Sequence, residues 1–390
     1  CAAGAGSRRR RAPSRYLGCA LAARRGGVRK EGKGAAQLAV ARICLGFLAL
    51  SGCLHDLVMA GPRSTSVVRA RYLMGTIFRF EAPEAESPSK TAAALEAALD
   101  EVGRLEEVLS NWRSESELSR LNAGAGKGAT QVSPQLFDAV SSSLTWARET
   151  GGAFDPTVEP LTRRFRSGPS LTQSPLGDSS SSGTPSVVGW NQVRLDPQTR
   201  TVAMPAGAGL DMGGVAKGIA LDRASRVLAQ HGVHDALLDA GGQFLALGSP
   251  PGELGWTVAL ADPGDRQRPT YTLILSDVSL ATSGNSERPG EIVDPTTLRP
   301  VVGRFSASAL APDATSADAL STALFVMGPE RGEAWARARS DLLALFLVPA
   351  EKAGTLPRAS GTLRLAPSGH FLVIAARPRD GHRRVDVEIR

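Results

Sequence analysis

Apolar residues recur at intervals of three and four along several stretches of the chain, which is the spacing of one face of an α-helix. One such stretch starts near Thr91 and continues through Leu95, Leu99, Val102, Leu105 and Leu109. A second helix is predicted to begin at Pro134, because Ser133 is a favourable N-cap and proline is tolerated at the first helical position. Two more helices are predicted over residues 215–230 and 314–327, each with a glycine shortly after its end.

Short apolar runs between these helices predict β-strands. The runs cover residues 67–80, 235–247, 256–262, 271–280, 306–311, 342–348 and 371–376. Because helices and strands are mixed without a regular βαβ rhythm, the fold class is predicted to be α+β. Residues 166–188 are rich in Ser, Gly and Pro and are predicted to form a solvated loop inserted within the domain.

The basic charge of the chain is confined to its first residues. Residues 1–33 contain ten Lys and Arg against one acid, Glu31, so this segment carries +9. The formal net charge of the whole chain is +7, which leaves −2 for the other 357 residues. A basic surface for a phosphate backbone is therefore absent from the body of the sequence, and nucleic acid is not an expected partner.

An apolar segment follows this basic stretch and ends in small residues, which is the order of an export signal. The run from Ile43 to Leu50 is too short to stay in a bilayer as a spanning helix. Residues 50–53, Leu-Ser-Gly-Cys, match the bacterial lipobox, in which the cysteine is lipidated and becomes the new N-terminus; the alternative is a chance cysteine after small residues. We predict a leader over 1–53 with Cys53 lipidated, and a tether over 54–66. The protein is then expected on the exported, periplasmic face of the inner membrane of a bacterial envelope.

Several common catalytic sites are excluded by composition. All four cysteines lie at or before Cys53, so the body of the chain has neither a disulfide nor a cysteine zinc site. The glycine-rich run at 124–128 lacks the first Gly and the Ser or Thr of a P-loop. The sequence contains no GxSxG motif, and its five histidines are too scattered to form a zinc ligand set.

Two of the remaining motifs place glycines beside a carboxylate. In residues 150–157, Gly151 and Gly152 allow a close approach of the backbone to a partner, and Asp155 precedes a proline. The alternative is a simple helix end and turn. In residues 211–218, Asp211, two glycines and a helix start form a place where backbone N–H groups meet an anion, with Lys217 one turn into the helix. A capped helix with a solvated lysine is an equally good interpretation.

Two further motifs combine small hydroxyl residues with acids. Residues 281–285, followed by 291–295, suit either a ligand-facing loop or a polar turn between strands. In the helix over 314–323, Asp318 and Thr322 are four residues apart, so their oxygens fall on one helical face. Such a pair fits Mg²⁺, with phosphate oxygens and water as its other ligands, or a polar network on a buried helix.

Taken in order, these motifs resemble the ApbE family, the FAD:protein FMN transferases. The resemblance runs from about Arg71 to Gly328 and implies the mixed sheets and packed helices of that family over residues 67–350. It leaves residues 351–390 as an extension without an assigned role. The motifs lie at residues 72–76, 110–113, 116–122, 151–158, 211–218, 239–242 and 281–284 and in the Asp318 helix.

The resemblance implies a role for individual residues. Asp318 and Thr322 match the side-chain ligands of Mg²⁺, and Gly214 matches a residue that offers its backbone carbonyl to the metal. Trp112 stands where the family commonly has an aromatic residue, suited to stacking on the cofactor. The positions that match FAD contacts are Met74, Trp112, Ala153, Phe154, Asp155, Asp211, Lys217 and Ile292.

The activity implied by the resemblance is phosphoryl transfer to an alcohol. FAD is cleaved at its pyrophosphate, FMN passes to a Thr or Ser hydroxyl of an acceptor protein, expected to be a subunit of a membrane redox complex, and AMP leaves. Lys217 is expected to add positive potential. The family usually has a histidine where this chain has Glu291, and a glycine where it has Leu298. Glu291 is the candidate base, although its ordinary pKa of about 4.3 makes it a weaker base than imidazole.

Two alternatives to transfer follow from the loss of that histidine. One is a flavin-binding lipoprotein without catalytic activity. The other is a Mg²⁺-dependent FAD pyrophosphatase that produces FMN and AMP, because water can replace the alcohol at such a site.

Overall fold

The computed structural model describes residues 65–84, 87–167, 187–286, 288–349, 362–364 and 371–376. The predicted leader at 1–53 with Cys53, nearly all of the tether at 54–66 and residues 168–186 of the predicted insertion lie outside the described residues. A search of the described part of the chain finds no helix with the length and apolar character that crossing a bilayer requires.

Six α-helices and sixteen β-strands are formed by the described residues. The helices are α1 (Pro88–Leu109), α2 (Glu117–Ala123), α3 (Pro134–Glu149), α4 (Glu159–Ser167), α5 (Ala216–Gln230) and α6 (Ala314–Ala336). The first eight strands are β1 (Ser66–Leu73), β2 (Thr76–Pro83), β3 (Thr130–Gln131), β4 (Arg194–Asp196), β5 (Thr201–Ala203), β6 (Ala236–Ala240), β7 (Phe244–Leu247) and β8 (Trp256–Asp262). The others are β9 (Asp265–Leu275), β10 (Val278–Gly284), β11 (Val293–Asp294), β12 (Arg299–Pro300), β13 (Ser306–Ala311), β14 (Leu343–Pro349), β15 (Thr362–Arg364) and β16 (Phe371–Ala376).

The main sheet has nine strands in the order β1-β2-β6-β7-β10-β13-β14-β16-β15. Every neighbouring pair in it is antiparallel. Mixed helices and antiparallel sheets confirm the α+β prediction. Because β16 pairs with β14, the sheet includes Phe371–Ala376, which the sequence predicted as a strand.

Helices cover one face of this sheet and a hairpin covers part of the other. Buried residues of β1, β2 and β6 form one core cluster with α1, α3 and α5. α6 packs on β10 and β13 and also contacts α5. The hairpin of β8 and β9 turns alternate residues, among them Val258 and Leu273, onto the opposite face of the sheet.

Glycine turns divide two stretches that the sequence predicted as single runs. Residues 67–80 contain the end of β1 and the start of β2, joined by Met74 and Gly75 with φ of 49° and 77°. A two-residue turn with both φ values positive matches the twist of a hairpin. The 235–247 run is divided in the same way by Gly241 and Gly242, with φ of 63° and 91°.

The predicted end of a helix at Gly328 is confirmed, because the helical backbone that begins at Ala314 is broken there and a second helical segment of α6 follows. Gly328 has φ 75° and ψ 171°, which is not helical, and helical backbone then resumes at Pro329 and continues to Ala336. Proline is tolerated there because the first turn of a helix has no internal partner for its N–H groups. The predicted loop at 166–188 starts two residues too early, since α4 continues to Ser167.

Candidate functional site

The predicted metal ligands come together where α5 begins and α6 runs past it. Asp318 is buried, with 4 % of its surface exposed. Its Oδ2 accepts a hydrogen bond from the backbone N–H of Gly218 at 3.0 Å, and its Oδ1 lies 3.4 Å from Nζ of Lys217. A buried carboxylate is thus held between the N-terminal turn of α5 and an ammonium group.

Thr322 lies one turn further along α6, against Gly214 and Phe154. A Cβ atom built on Gly214 would lie 3.0 Å from Thr322 Oγ1 and 3.2 Å from Phe154 Cε2. The missing side chain therefore lets the backbone of the segment before α5 approach the hydroxyl closely. Phe154, predicted as an FAD contact, is a buried core residue that forms one wall of this approach.

Ser283 at the end of β10 completes this cluster, and the sequence analysis gave it no individual role. Its Oγ lies 3.4 Å from Thr322 Oγ1 and 2.9 Å from Ser321 Oγ. The sequence signals for it are the run of small hydroxyl residues at 281–285 and the family motif at 281–284. The end of β10 is therefore next to the candidate metal ligands.

The donor chemistry of this cluster fits Mg²⁺. Within the described residues, no group of three or more His, Cys, Asp and Glu side chains is placed to hold a metal ion. The cluster is of another kind, because Asp318 is its one carboxylate and the Thr322 hydroxyl, beside Gly214, is its other side-chain oxygen predicted as a ligand. Mg²⁺ prefers oxygen ligands and is often held by one or two carboxylates, with phosphate and water in its other positions.

Asp155 organises the loop that follows α3. Its Oδ1 accepts from the backbone N–H of Thr157 at 2.8 Å and from Thr157 Oγ1 at 2.6 Å, and its Oδ2 accepts from the backbone N–H of Trp190 at 3.1 Å. Burial raises the pKa of this carboxyl group above its ordinary value, although these hydrogen bonds act in the opposite direction. The visible role of Asp155 is to join two distant loops.

Asp211 is also engaged by nearby backbone. Its Oδ1 accepts from the N–H of Gly213 at 2.8 Å, Thr162 Oγ1 donates to its Oδ2, and its own N–H donates to the Pro156 carbonyl at 2.7 Å. These contacts shape the two-glycine turn that leads to Gly214. The position of the predicted anion-binding turn is therefore set by Asp211.

Two asparagines that the sequence analysis did not assign hold the same segment from the other side. Asn111 and Asn122 donate from Nδ2 to the Leu210 carbonyl at 2.8 and 2.9 Å. Asn122 Oδ1 accepts from the Leu210 N–H at 2.8 Å, and Asn111 Oδ1 accepts from the Met212 N–H at 3.3 Å. Both lie in motifs quoted for the family resemblance, which is the signal that pointed to them.

Trp112 and Glu291 are connected by an arginine that the sequence did not indicate. The Arg288 guanidinium carbon lies 5.8 Å from the centroid of the Trp112 ring, and Arg288 Nη1 lies 3.1 Å from Glu291 Oε1. A Cβ built on Gly75 would lie 3.5 Å from Arg288 Nη2, so the turn between β1 and β2 belongs to the same rim. We call Gly75, Trp112, Arg288 and Glu291 the rim cluster.

The rim cluster is open to solvent. Trp112 is 66 % exposed, and the side chains of Arg288 and Glu291 are each about half exposed. An exposed ion pair of this kind contributes little to stability. A cavity of about 390 Å³ lies beside Trp112, Asn111 and Asn122, within the size range of ligand pockets.

The other predicted FAD contacts are partly buried. Met74 forms the turn of the rim and packs on the first core cluster, as does Ala153. Ile292 packs beside α6, and its carbonyl accepts from the N–H of Val301 at 2.8 Å. The segment from Ser283 to Ile292 therefore connects the candidate metal ligands to the rim cluster.

Comparisons with known proteins identify relatives over most of the chain. A protein of Treponema pallidum named FAD:protein FMN transferase is 33 % identical over 306 residues, covering 72 % of this chain and 84 % of that protein. A protein of the same name from Klebsiella pneumoniae is 28 % identical over 321 residues, 78 % of this chain and 90 % of its own length.

Solved structures show the same fold. The flavin transferase ApbE from Vibrio cholerae has a TM-score of 0.62 at 26 % identity, covering 74 % of this chain and 95 % of that one. The ApbE protein from Thermotoga maritima also has a TM-score of 0.62 at 26 % identity, with 72 % and 94 % covered. The sequence profile of the ApbE family matches residues 74–346. The chain described here belongs to the ApbE family.

Proposed function

We propose that this chain is a FAD:protein FMN transferase that uses Mg²⁺ to move FMN from FAD to a Thr or Ser hydroxyl of an acceptor protein. The observation that carries the proposal is the convergence of Asp318, Thr322 and Gly214 beside Lys217. The names of the relatives point to the same reaction.

The cation would be held by the Asp318 carboxylate, the Thr322 hydroxyl and the backbone carbonyl of Gly214. Bound Mg²⁺ supplies neutralisation of the charge that develops on the pyrophosphate oxygens. Lys217 adds a second positive charge, since its Nζ lies 3.4 Å from Asp318 Oδ1.

The other half of the reaction belongs to the rim cluster. Trp112 offers an exposed ring on which a flavin stacks, and Arg288 already lies against that ring. Glu291 takes the proton of the acceptor hydroxyl as its oxygen bonds to the phosphorus of the FMN half. The bond from that phosphorus to the bridging oxygen breaks, and AMP leaves with that oxygen.

FAD pyrophosphatase activity is the second candidate. Glu291 and Arg288 are half exposed at the rim, so water has access to the group that would otherwise take a proton from an alcohol. The product would then be free FMN instead of a flavinylated protein.

One incubation separates these activities and tests the proposal. The purified chain is mixed with FAD, Mg²⁺ and a protein already known to be flavinylated by a family member. Flavin fluorescence on the acceptor in a denaturing gel, with an equal amount of AMP, supports transfer. AMP without labelled acceptor supports the pyrophosphatase, and bound but intact FAD supports a non-catalytic flavin-binding protein.

Asp318→Ala tests the metal assignment. It is expected to lose both activities, because the cluster then has no anionic ligand. Turnover close to that of wild type in this variant would contradict the assignment of Asp318.

We also propose that the protein is a lipoprotein, anchored through Cys53 on the periplasmic face of the inner membrane, and that its acceptor is a subunit of a membrane redox complex. The support is the basic, apolar and small-residue order of the leader and its Leu-Ser-Gly-Cys end. An anchored enzyme would meet acceptors in the same membrane.

A further inference from the structure

α5 and the turn before it meet α6 in polar or close contacts at three levels, each separated by about one helical turn. Gly214 meets Thr322, and Gly218 meets Asp318. The third level joins Asp222 to Thr315. The residue numbers rise along one segment as they fall along the other, so the two run in opposite directions. The first two levels contain the candidate metal ligands, whereas the third lies outside that site.

Asp222 uses both carboxylate oxygens to hold the first turn of α6. Oδ1 accepts from the backbone N–H of Ala314 at 2.8 Å. Oδ2 accepts from the backbone N–H of Thr315 at 2.9 Å and from Thr315 Oγ1 at 2.5 Å. The first N–H groups of a helix have no partner within the helix. Here a carboxylate from a neighbouring helix satisfies two of them.

α6 also has an ordinary N-cap, which makes the contact from Asp222 an additional one. Asp313 accepts from the backbone N–H of Ser316 at 2.8 Å and from Ser316 Oγ at 2.6 Å. Asp313 belongs to the same helix end and therefore does not control where α6 lies relative to α5. Asp222 connects the two helices directly.

We propose that Asp222 is a positioning residue that sets the axial register of α6 against α5 and thereby places Asp318 and Thr322 opposite Gly214. The inference rests on the proposed function, because it concerns the ligands assigned there to Mg²⁺. Asp222 lies outside the cluster of candidate ligands and acts through the helix that carries two of them.

The geometry makes register important for this cluster. A slip of one residue along a helix shifts a side chain by about 1.5 Å along the axis and by about 100° around it. Either change would turn the Asp318 oxygens away from Gly218 and the Thr322 hydroxyl away from Gly214. α5 and α6 touch at Gly218, where a Cβ would lie 2.2 Å from the Ala314 carbonyl oxygen. A backbone contact at this one point still allows the two helices to tilt against each other.

The experiment measures Mn²⁺ binding to the full chain by electron paramagnetic resonance of the free ion, with no FAD and no turnover. Mn²⁺ takes oxygen ligands as Mg²⁺ does. Asp222→Ala is compared with Asp313→Ala, which removes a cap from the same helix end but leaves the connection to α5. Asp222→Asn keeps the shape and one acceptor oxygen, and thermal unfolding by circular dichroism compares the stability of all three variants.

Asp222→Ala is expected to raise the Mn²⁺ dissociation constant by about 10- to 100-fold, the usual effect of losing a group that supports metal ligands. Asp313→Ala should remain within about threefold of wild type although it loses a comparable amount of stability. Asp222→Asn should fall between wild type and Asp222→Ala.

Equal Mn²⁺ affinity in Asp222→Ala and wild type would overturn the inference, as would equal losses in the Asp222 and Asp313 variants. Failure of the proposed metal site gives a different result. In that case wild type and Asp318→Ala would bind Mn²⁺ equally weakly, and the inference would fall with the site.

Discussion

Carboxylates in this protein fall into two groups by their hydrogen-bond partners. Asp155, Asp211 and Asp222 accept from backbone N–H groups and shape the chain. Glu291 faces solvent beside Arg288. Asp318 combines both characters, since it accepts from Gly218 and lies beside Lys217.

Substitution of Glu291 tests its role as the base. Glu291→Gln is expected to slow transfer by about 100-fold or more, because the proton of the acceptor hydroxyl then has no carboxylate to receive it. Glu291→His should transfer FMN at least as fast as wild type near pH 7, since the ordinary pKa of histidine, about 6.5, lies closer to that pH. The rate of flavin fluorescence gained by the acceptor is the measurement. A full rate in Glu291→Gln, at unchanged FAD affinity, would remove Glu291 from the mechanism.

Asp155 predicts a pH dependence of stability with a definite sign. Burial raises the pKa of its carboxyl group in the folded protein, so the folded state binds the proton more tightly than the unfolded state. Its contribution to stability is therefore fully present below the ordinary pKa of about 3.9 and is lost as the pH rises through the folded value. The difference in unfolding free energy, wild type minus Asp155→Asn, should fall from acid towards neutral pH in urea titrations.

Asp196 offers the control with the opposite sign. It is exposed, and the hydrogen bond from the Thr199 hydroxyl, with that from the Gln198 N–H, lowers the pKa of its carboxyl group. The difference between wild type and Asp196→Asn should therefore rise with pH. Parallel trends for Asp155 and Asp196 would contradict the assignment of the Asp155 pKa to burial.

Elements meet closely in this fold where glycine replaces a side chain. The N-terminal part of α5 lies against the first turn of α6 at Gly218, and the turn before α5 lies against Thr322 at Gly214. Each contact brings together residues about 100 positions apart in the chain, as between Gly218 and Asp318. Backbone atoms, and not large side chains, therefore set the distance between α5 and α6 at these contacts.

Gly218→Ala tests this packing. A Cβ there would lie 2.2 Å from the Ala314 carbonyl oxygen and 2.6 Å from its carbon, both backbone atoms that move only with the helix. We expect a loss of about 1–3 kcal/mol in unfolding free energy, because overpacking exceeds the gain in helix propensity. The matched control is Gly103→Ala in α1, where the nearest atom, Leu73 Cδ2, is 3.8 Å away. That variant should gain about 0.5–1 kcal/mol. Equal stability changes in the two variants would contradict the argument.

At the scale of the whole molecule, one sheet carries both parts of the site. β10 ends beside Thr322 through Ser283, and the turn between β1 and β2 forms part of the rim cluster. The segment from Ser283 to Ile292 spans the distance between these parts. Both parts of the candidate site therefore lie at the ends of strands of one sheet.

The proposed membrane attachment through Cys53 is tested on the full chain. Cys53→Ser is expected to release the protein from the membrane fraction into the soluble periplasmic fraction, because the anchor is then lost. Fractionation and the mass of the N-terminal peptide check this. The transfer rate of the detergent-purified protein on a soluble acceptor should not change, which separates anchoring from catalysis. Membrane retention of an unlipidated variant would contradict the lipobox prediction.

The sequence by itself determined the helix and strand periods, the α+β class and the order of the glycine and carboxylate motifs. These features depend on neighbours a few residues apart, which is the range that periodicity and turn chemistry report. Ser133 as N-cap of α3 is an example, since its side chain accepts from the N–H of Leu136.

Only the tertiary structure decided which distant groups meet. Asn111 reaches Leu210 across 99 positions, and Asp222 reaches Ala314 across 92. Arg288 covers Trp112 because the rim brings two loops together. The helix or strand propensity of a residue contains no information about such distant partners. They follow from how the sheet and helices pack, which is where the candidate site is assembled.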